Sequence, residues 1–268
     1  MAPADLVRTA LESAPDALRD EFEHLRREAA LRDAAEQVSR AKSRFLSTAS
    51  HDLRQPLQAL SLLNGALCRM RLDPEIREAV EQQAAAISTM SRLVHALLDI
   101  SRIESGTVQP ETTDFQVPPL LEALRVEFAG LAMDKGLRLC VESCAVSART
   151  DPILTEQILR NLISNAIKYT HEGGVTVRCT REEGEAVSVE VHDTGIGMAG
   201  DQIPHIYEEF YRIEGSGRGA AGGYGLGLTI VSRLVRLLEL QLEVRSEPGR
   251  GSVFTLRLPA GKDQRTAL

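Results

Sequence analysis

From Ile76 to Leu97 the positions Ile76, Val80, Gln83, Ile87, Met90, Val94 and Leu97 follow alternating four- and three-residue steps, which is the seam of a coiled coil. A similar stripe precedes it. Leu18, Phe22, Leu25 and Ala29, then Leu31, Ala35, Val38 and Phe45 after one phase shift, recur among charged residues. From Asp16 the pattern runs without a breaker into the run around His51 and is expected to continue to about Arg71, which predicts a helical rod of about 50 residues, too long and too one-sided to be stable alone. Leu72-Asp73-Pro74-Glu75 supplies a turn, with Asp73 as N-cap and Pro74 in the first helical position, and the second helix ends near Glu104-Ser105-Gly106. Two such helices make an antiparallel hairpin whose apolar stripe is half covered. Two hairpins make a four-helix bundle, so a homodimer is expected.

Inside the first helix lies the run Ser47-Thr48-Ala49-Ser50-His51-Asp52-Leu53-Arg54-Gln55-Pro56-Leu57. An apolar stripe through Leu46, Ala49, Leu53, Leu57 and Leu60 leaves His51 about 200° from both Ala49 and Leu53, facing water. Asp52 can polarise the ring or take its proton, and Pro56 removes a backbone donor one turn on. A lone exposed histidine is ordinarily a solvated side chain, and His24, His95, His171, His192 and His205 are read so. His51 stands apart because a second constellation follows downstream.

Residues 107–119, with Pro110, Pro118 and Pro119 around a short strand Asp114-Phe115-Gln116-Val117, mark a domain boundary. Beyond it a helix through Leu121, Leu124, Phe128 and Leu131 ends at Gly136, and a strand alternates through Leu137, Leu139 and Val141. A helix follows over 152–169, then strands over 175–180 and 186–192, a glycine-rich stretch, a helix over 226–238, and strands over 240–245 and 253–258. Helices and strands mix without strict alternation, which predicts an α+β fold: helices on one face of a mostly antiparallel sheet. The expected organisation is a tail over 1–15, the helical unit over 16–106, the α/β sandwich over 107–262 and a tail over 263–268.

The helix over 157–169 carries Asn161, Asn165 and Lys168 at i, i+4 and i+7, so two amides and an ammonium share a stripe, while Leu159, Ile163, Ala166 and Ile167 supply apolar contacts. Amide oxygens suit a Mg²⁺ ion that keeps several waters, and a lysine suits phosphate oxygens. Asp193-Thr194-Gly195-Ile196-Gly197-Met198 directly follows a strand, delivering a carboxylate into a turn whose glycines let a flat ring approach the backbone. Gly222-Gly223-Tyr224-Gly225-Leu226-Gly227-Leu228 leads into a helix, a layout that offers free N–H groups to phosphates, and Pro248-Gly249-Arg250-Gly251-Ser252 closes the set. The lack of a parallel βαβ unit with a ribose-binding acid around Gly223 argues against a dinucleotide fold.

A net charge of −7 with mixed signs argues against nucleic acid or a basic membrane-binding face. No apolar run approaches the roughly 20 residues that span a bilayer, and the N-terminus lacks a signal-peptide layout, so a cytoplasmic chain without membrane contact is expected. Cys68, Cys140, Cys144 and Cys179 have no C-x-x-C spacing and are expected to be buried thiols.

The run around His51 resembles the phosphoacceptor box of sensor histidine kinases. The amide-bearing helix, the Asp193 turn, the run Ile-Tyr-Glu-Glu-Phe-Tyr-Arg over 206–212 and the glycine-rich stretch over 222–228, in that order, resemble the ATP-binding domain of the same family. That domain shares a wider fold with type II topoisomerases and mismatch-repair ATPases. The resemblance covers about residues 40 to 260 and implies that His51 accepts the γ-phosphoryl group of ATP on Nε2 while Asp52 orients the ring. It implies Asn165 as the principal Mg²⁺ ligand, with Asn161 and Lys168 assisting at the metal and phosphates, and Asp193 reading the adenine amine. Gly195 and Gly197 would shape the adenine pocket and Tyr169 would border the nucleotide. Gly223, Gly225 and Gly227, with Leu226 among them, would hinge a lid over 205–224 that Phe210 helps to seat. The implied partner is an aspartate of a response-regulator receiver domain. Gln55, one turn from His51 on the same face, would hold a water for dephosphorylating that aspartate. Relatives that hydrolyse ATP carry a glutamate where this helix has Asn161, which favours a kinase over a hydrolase; the intact boxes oppose a bare scaffold.

Overall fold

The computed structural model describes residues 24, 26–28, 55–70, 73–142, 145–182, 186–213 and 224–262. Residues 55–68 are helical, here α1, and a turn leads to α2, Pro74–Glu104. Asp73 precedes α2 as the sequence predicts, but its side chain makes no capping bond: its backbone carbonyl accepts from Arg77 N at 2.9 Å and the carboxylate stays in water. Buried Asn64 ties the hairpin together, Nδ2 donating to the Val80 carbonyl at 3.1 Å and to Gln83 Oε1 at 3.2 Å. Leu57 and Ile87, each seven residues from that bond, are both buried, as an antiparallel pair requires. Leu60, Leu62, Leu63, Leu67, Ile76 and Met90 remain exposed in the single chain.

Strand β1, Thr113–Gln116, leads directly into α3, Val117–Asp134, which takes Pro118 and Pro119 into its first turn, where no intrahelical N–H is needed. Next come β2, Arg138–Glu142; β3, Ser147–Thr150; α4, Pro152–Tyr169; β4, Gly174–Glu182; β5, Ala186–Asp193; a 3₁₀ turn, Ile203–His205; α5, Gly227–Leu237; β6, Gln241–Glu247; and β7, Gly251–Pro259. The main sheet runs β2-β4-β5-β7-β6, antiparallel except for the β2–β4 pair. β1 and β3 form a separate antiparallel pair. Strand β3 was not expected: Ser-Ala-Arg-Thr is short and polar, and its order comes from pairing with β1 and from Gly261 N donating to Ser147 O at 2.8 Å.

Alternation builds the core. Val175, Val177 and Cys179 of β4, Val187, Val189 and Val191 of β5, and Phe254, Leu256 and Leu258 of β7 turn one way into a layer with Leu121, Leu124 and Phe128 of α3, Ile158, Leu159, Leu162 and Ile163 of α4, and Ile230, Val231 and Leu234 of α5. Each such side chain contributes roughly 1.5–3 kcal/mol of apolar transfer free energy. Of the thiols, Cys179 is buried as expected, but Cys68 and Cys140 are exposed. On edge strand β2 it is Leu139 and Val141 that are partly buried against the core, which turns Cys140 outward with Arg138 and Glu142. Cys68 Sγ lies 3.6 Å from Asn64 Oδ1 on the hairpin. Cys144 lies outside the described residues.

Candidate functional site

α4 begins cleanly because Asp151 caps it, Oδ1 accepting from Ile153 N at 2.9 Å and Leu154 N at 3.0 Å, with Pro152 behind. Its apolar stripe faces the core, which turns Asn161, Asn165 and Lys168 to the half-exposed opposite side. Asn161 Nδ2 donates to the Gln157 carbonyl at 2.9 Å. That leaves Oδ1 toward α5: a Cβ on Gly227 would stand 3.3 Å from it and 3.6 Å from Asn165 Nδ2. Gly227 is the first residue of α5, whose N-terminus has no side-chain cap, so its first N–H groups are available to an acceptor.

Asp193 continues the inward row Val187, Val189, Val191 and ends β5 only 5% exposed. Opposite it on β7 stands Ser252. Burial pushes the Asp193 carboxyl up from the ordinary carboxylate range; hydrogen bonds from Gly195 N and from Ser252, and the nearby His192, pull the other way. Oδ1 accepts from Gly195 N at 2.8 Å, and the second oxygen can take a donor such as an aromatic amine. Gly197 has φ +64°, and a Cβ there would collide with the Glu247 carbonyl, so the turn packs directly on β6.

Asn161, Asn165, Lys168, Tyr169, Asp193, Gly197, Gly225, Leu226 and Gly227 line one cleft of about 770 Å³. Gly195 is not on its wall; it lies beneath, where a Cβ would stand 2.5 Å from the Tyr169 carbonyl. Lys168 Nζ donates to Tyr169 Oη at 2.7 Å and sits 4.2 Å from that ring's centre. Gln55 is exposed on α1. Phe210 is 56% exposed with φ +64° and is not on the cleft wall. His51, Asp52, Gly222 and Gly223 lie outside the described residues.

Three further contributors carry no signal in the sequence. Ser252 emerges only when β5 and β7 are set in register. Lys135, after α3, donates to the carbonyls of Ile167 and Lys168, each at 2.9 Å, closing the last turn of α4; burial and then Lys168 hold its ammonium below the ordinary lysine range. The third is α2, whose Arg92, Leu93 and Ala96 form the facing wall of the cleft. It is docked by Gln157 Nε2 donating to Asp99 Oδ2 at 3.0 Å and by the Arg233–Glu104 pair at 2.9 Å. Docking of this kind has no local sequence signal.

The chain matches the family model described as His Kinase A (phospho-acceptor) domain over residues 41–106, and that described as Histidine kinase-, DNA gyrase B-, and HSP90-like ATPase over 150–262. It is 37% identical over 236 residues, 86% of its length, to the autoinducer 2 sensor kinase/phosphatase LuxQ of Vibrio cholerae. It is 35% identical over 232 residues, 85% of its length, to the aerobic respiration control sensor protein ArcB of Escherichia coli. It spans 28% and 30% of those proteins. Among solved structures, full-length ShkA in complex with AMPPNP superposes with TM-score 0.70 at 28% identity, over 82% of this chain and 46% of that one. The histidine kinase AdeS of Acinetobacter baumannii, at 20% identity and TM-score 0.57 over 79% of this chain and 98% of that one, shares the fold. The chain belongs to the sensor histidine kinases. Among the described residues no helix is long and apolar enough to cross a membrane.

Proposed function

We propose that this chain is an ATP-dependent autokinase core that phosphorylates its own His51 and passes the phosphoryl group to an aspartate of a response-regulator receiver domain. The observation that carries the reading is the convergence in one cleft of the Asn161/Asn165 amides, the uncapped start of α5 and the buried Asp193 carboxyl. Asp193 takes the adenine amine, Tyr169 borders the nucleotide, and the α5 N–H groups and Lys168 take phosphate oxygens. Amide oxygens of Asn165 and Asn161 suit a Mg²⁺ ion completed by phosphate and water; among the described residues no cluster of three His, Cys, Asp or Glu offers a rival site. When bound, that ion would neutralise phosphate charge. The His51 Nε2 lone pair attacks the γ-phosphorus, the N–P bond forms as the bond to the β,γ-bridging oxygen breaks, and ADP leaves with that electron pair. Asp52 accepts the Nδ1 proton.

The exposed apolar face of the hairpin supports a homodimer closing as a four-helix bundle. Gln55 is proposed to position water for dephosphorylating the receiver. The test uses γ-labelled ATP. Acid-labile, base-stable label should stay on the chain and vanish in His51→Ala and Asp193→Asn; label persisting in His51→Ala moves the acceptor elsewhere, and free phosphate without labelled protein makes the chain a hydrolase. Gln55→Ala should autophosphorylate normally yet slow receiver dephosphorylation.

A further inference from the structure

We propose that Arg92, on the hairpin helix α2, is a polyphosphate-binding residue of the nucleotide site, so that the site is completed across the two units of the chain. The inference rests on the nucleotide reading of the cleft given above. Arg92, Ala96, Asn161 and Ile230 line both the large cleft and a shallower neighbouring one, so they form the seam between them. Ile230 is three residues into α5 from Gly227, and Asn161 faces Gly227; the seam therefore lies at the end of the cleft where the α5 N–H groups and the amides converge.

The helix that brings Arg92 there is held in place. Asp99 lies seven residues on, along the same face, and accepts from Gln157 of α4, while Leu93, Ala96 and Leu97 pack on the catalytic core. The guanidinium itself is exposed, and a 3.4 Å contact from Nη2 to Thr89 Oγ1, one turn back, is long for a hydrogen bond. A planar fork of donors at the phosphate end of a nucleotide cleft matches two oxygens of a phosphate at once, which an ammonium cannot do. Arg92 thus adds affinity for a triphosphate only while α2 is docked, and the triphosphate in turn favours docking.

The test is calorimetric titration of the full chain with AMPPNP plus Mg²⁺, with ADP plus Mg²⁺ and with adenosine, for the wild type, Arg92→Ala, Arg92→Lys and His95→Ala. Arg92→Ala should weaken AMPPNP about tenfold, ADP less, and adenosine less than twofold, roughly one lost charge-assisted hydrogen-bond pair. Arg92→Lys should recover part of the AMPPNP affinity. His95→Ala, an exposed neighbour whose Nδ1 meets only the Ser91 carbonyl, should change none of the three. Equal weakening of AMPPNP and adenosine in Arg92→Ala, or no weakening, overturns the assignment while leaving a nucleotide-binding cleft. A wild-type chain that binds none of the three overturns both readings.

Discussion

Arg233 of α5 lies 2.9 Å from the Glu104 carboxylate in the last turn of α2. The same guanidinium reaches Glu209 at 3.3 Å, next to the left-handed Phe210 where the chain leaves toward the glycine-rich stretch. One side chain thus joins the hairpin, helix α5 and the segment around Glu209. Both carboxylates and the guanidinium are partly exposed, so each pair contributes about 1 kcal/mol or less. Glu104→Ala should therefore leave the fold intact but speed amide exchange over 99–106 relative to β5 and β7. Unchanged exchange there would mean that docking does not depend on this pair.

Asp193 sets stability against function. Its carboxyl is raised by burial, so the folded chain holds that proton more tightly than the unfolded one. Stability from this group is present below the ordinary carboxylate value, about 4, and is lost as pH rises through the raised folded value. Asp193→Asn should then melt at or above the wild-type temperature at neutral pH without nucleotide, lose the wild-type gain on acidification, and bind no ATP. Scanning fluorimetry across a pH series decides it; a variant markedly less stable than wild type at neutral pH contradicts the sign.

Two nearby glycines should behave oppositely. Gly197→Ala meets both a positive φ, about 1–3 kcal/mol by itself, and the Glu247 carbonyl, and should cost at least that much in denaturant unfolding. Around Gly200 an added Cβ meets nothing within 4 Å, and Gly200→Ala should stay within about 0.5 kcal/mol. Similar losses at both positions would remove the steric account.

Asn64→Ala should destabilise the hairpin by about 1 kcal/mol, since it removes donors to Val80 and Gln83 from a buried position. The larger effect should be on register. Engineered cysteines at 57 and 87 should cross-link efficiently in the parent and less so with Asn64→Ala; equal yields would assign register to the apolar contacts alone.

Much of this was legible from spacing. The amide stripe of α4 follows from positions 161, 165 and 168, and the helix runs over the expected 152–169. The row Val187, Val189, Val191, Asp193 places a carboxylate on the core side by alternation alone, so even its burial could be read. The parallel β2–β4 pair could not, because pairing direction depends on α4 crossing between the two strands rather than on any residue in them. Arg92 and Lys135 were invisible for the same reason: their neighbours lie 69 and 32 residues away, at Asn161 and Ile167, and only packing of whole helices brings them near. The expected burial of Cys140 failed because alternation on β2 gives the core face to Leu139 and Val141 and turns Cys140 to the other face of the sheet.

Lys135 has a kinetic consequence. The carbonyl end of a helix is electronegative, and α4 points that end toward the rim of the cleft proposed to take a nucleotide, in a chain whose net charge is −7. By sitting on the Ile167 and Lys168 carbonyls, the Lys135 ammonium cancels that local repulsion, and with Lys168 and Arg92 it makes a cationic rim on an acidic molecule. Capture of a nucleotide is then steered by long-range attraction at the mouth, and its association rate falls as added salt screens the rim.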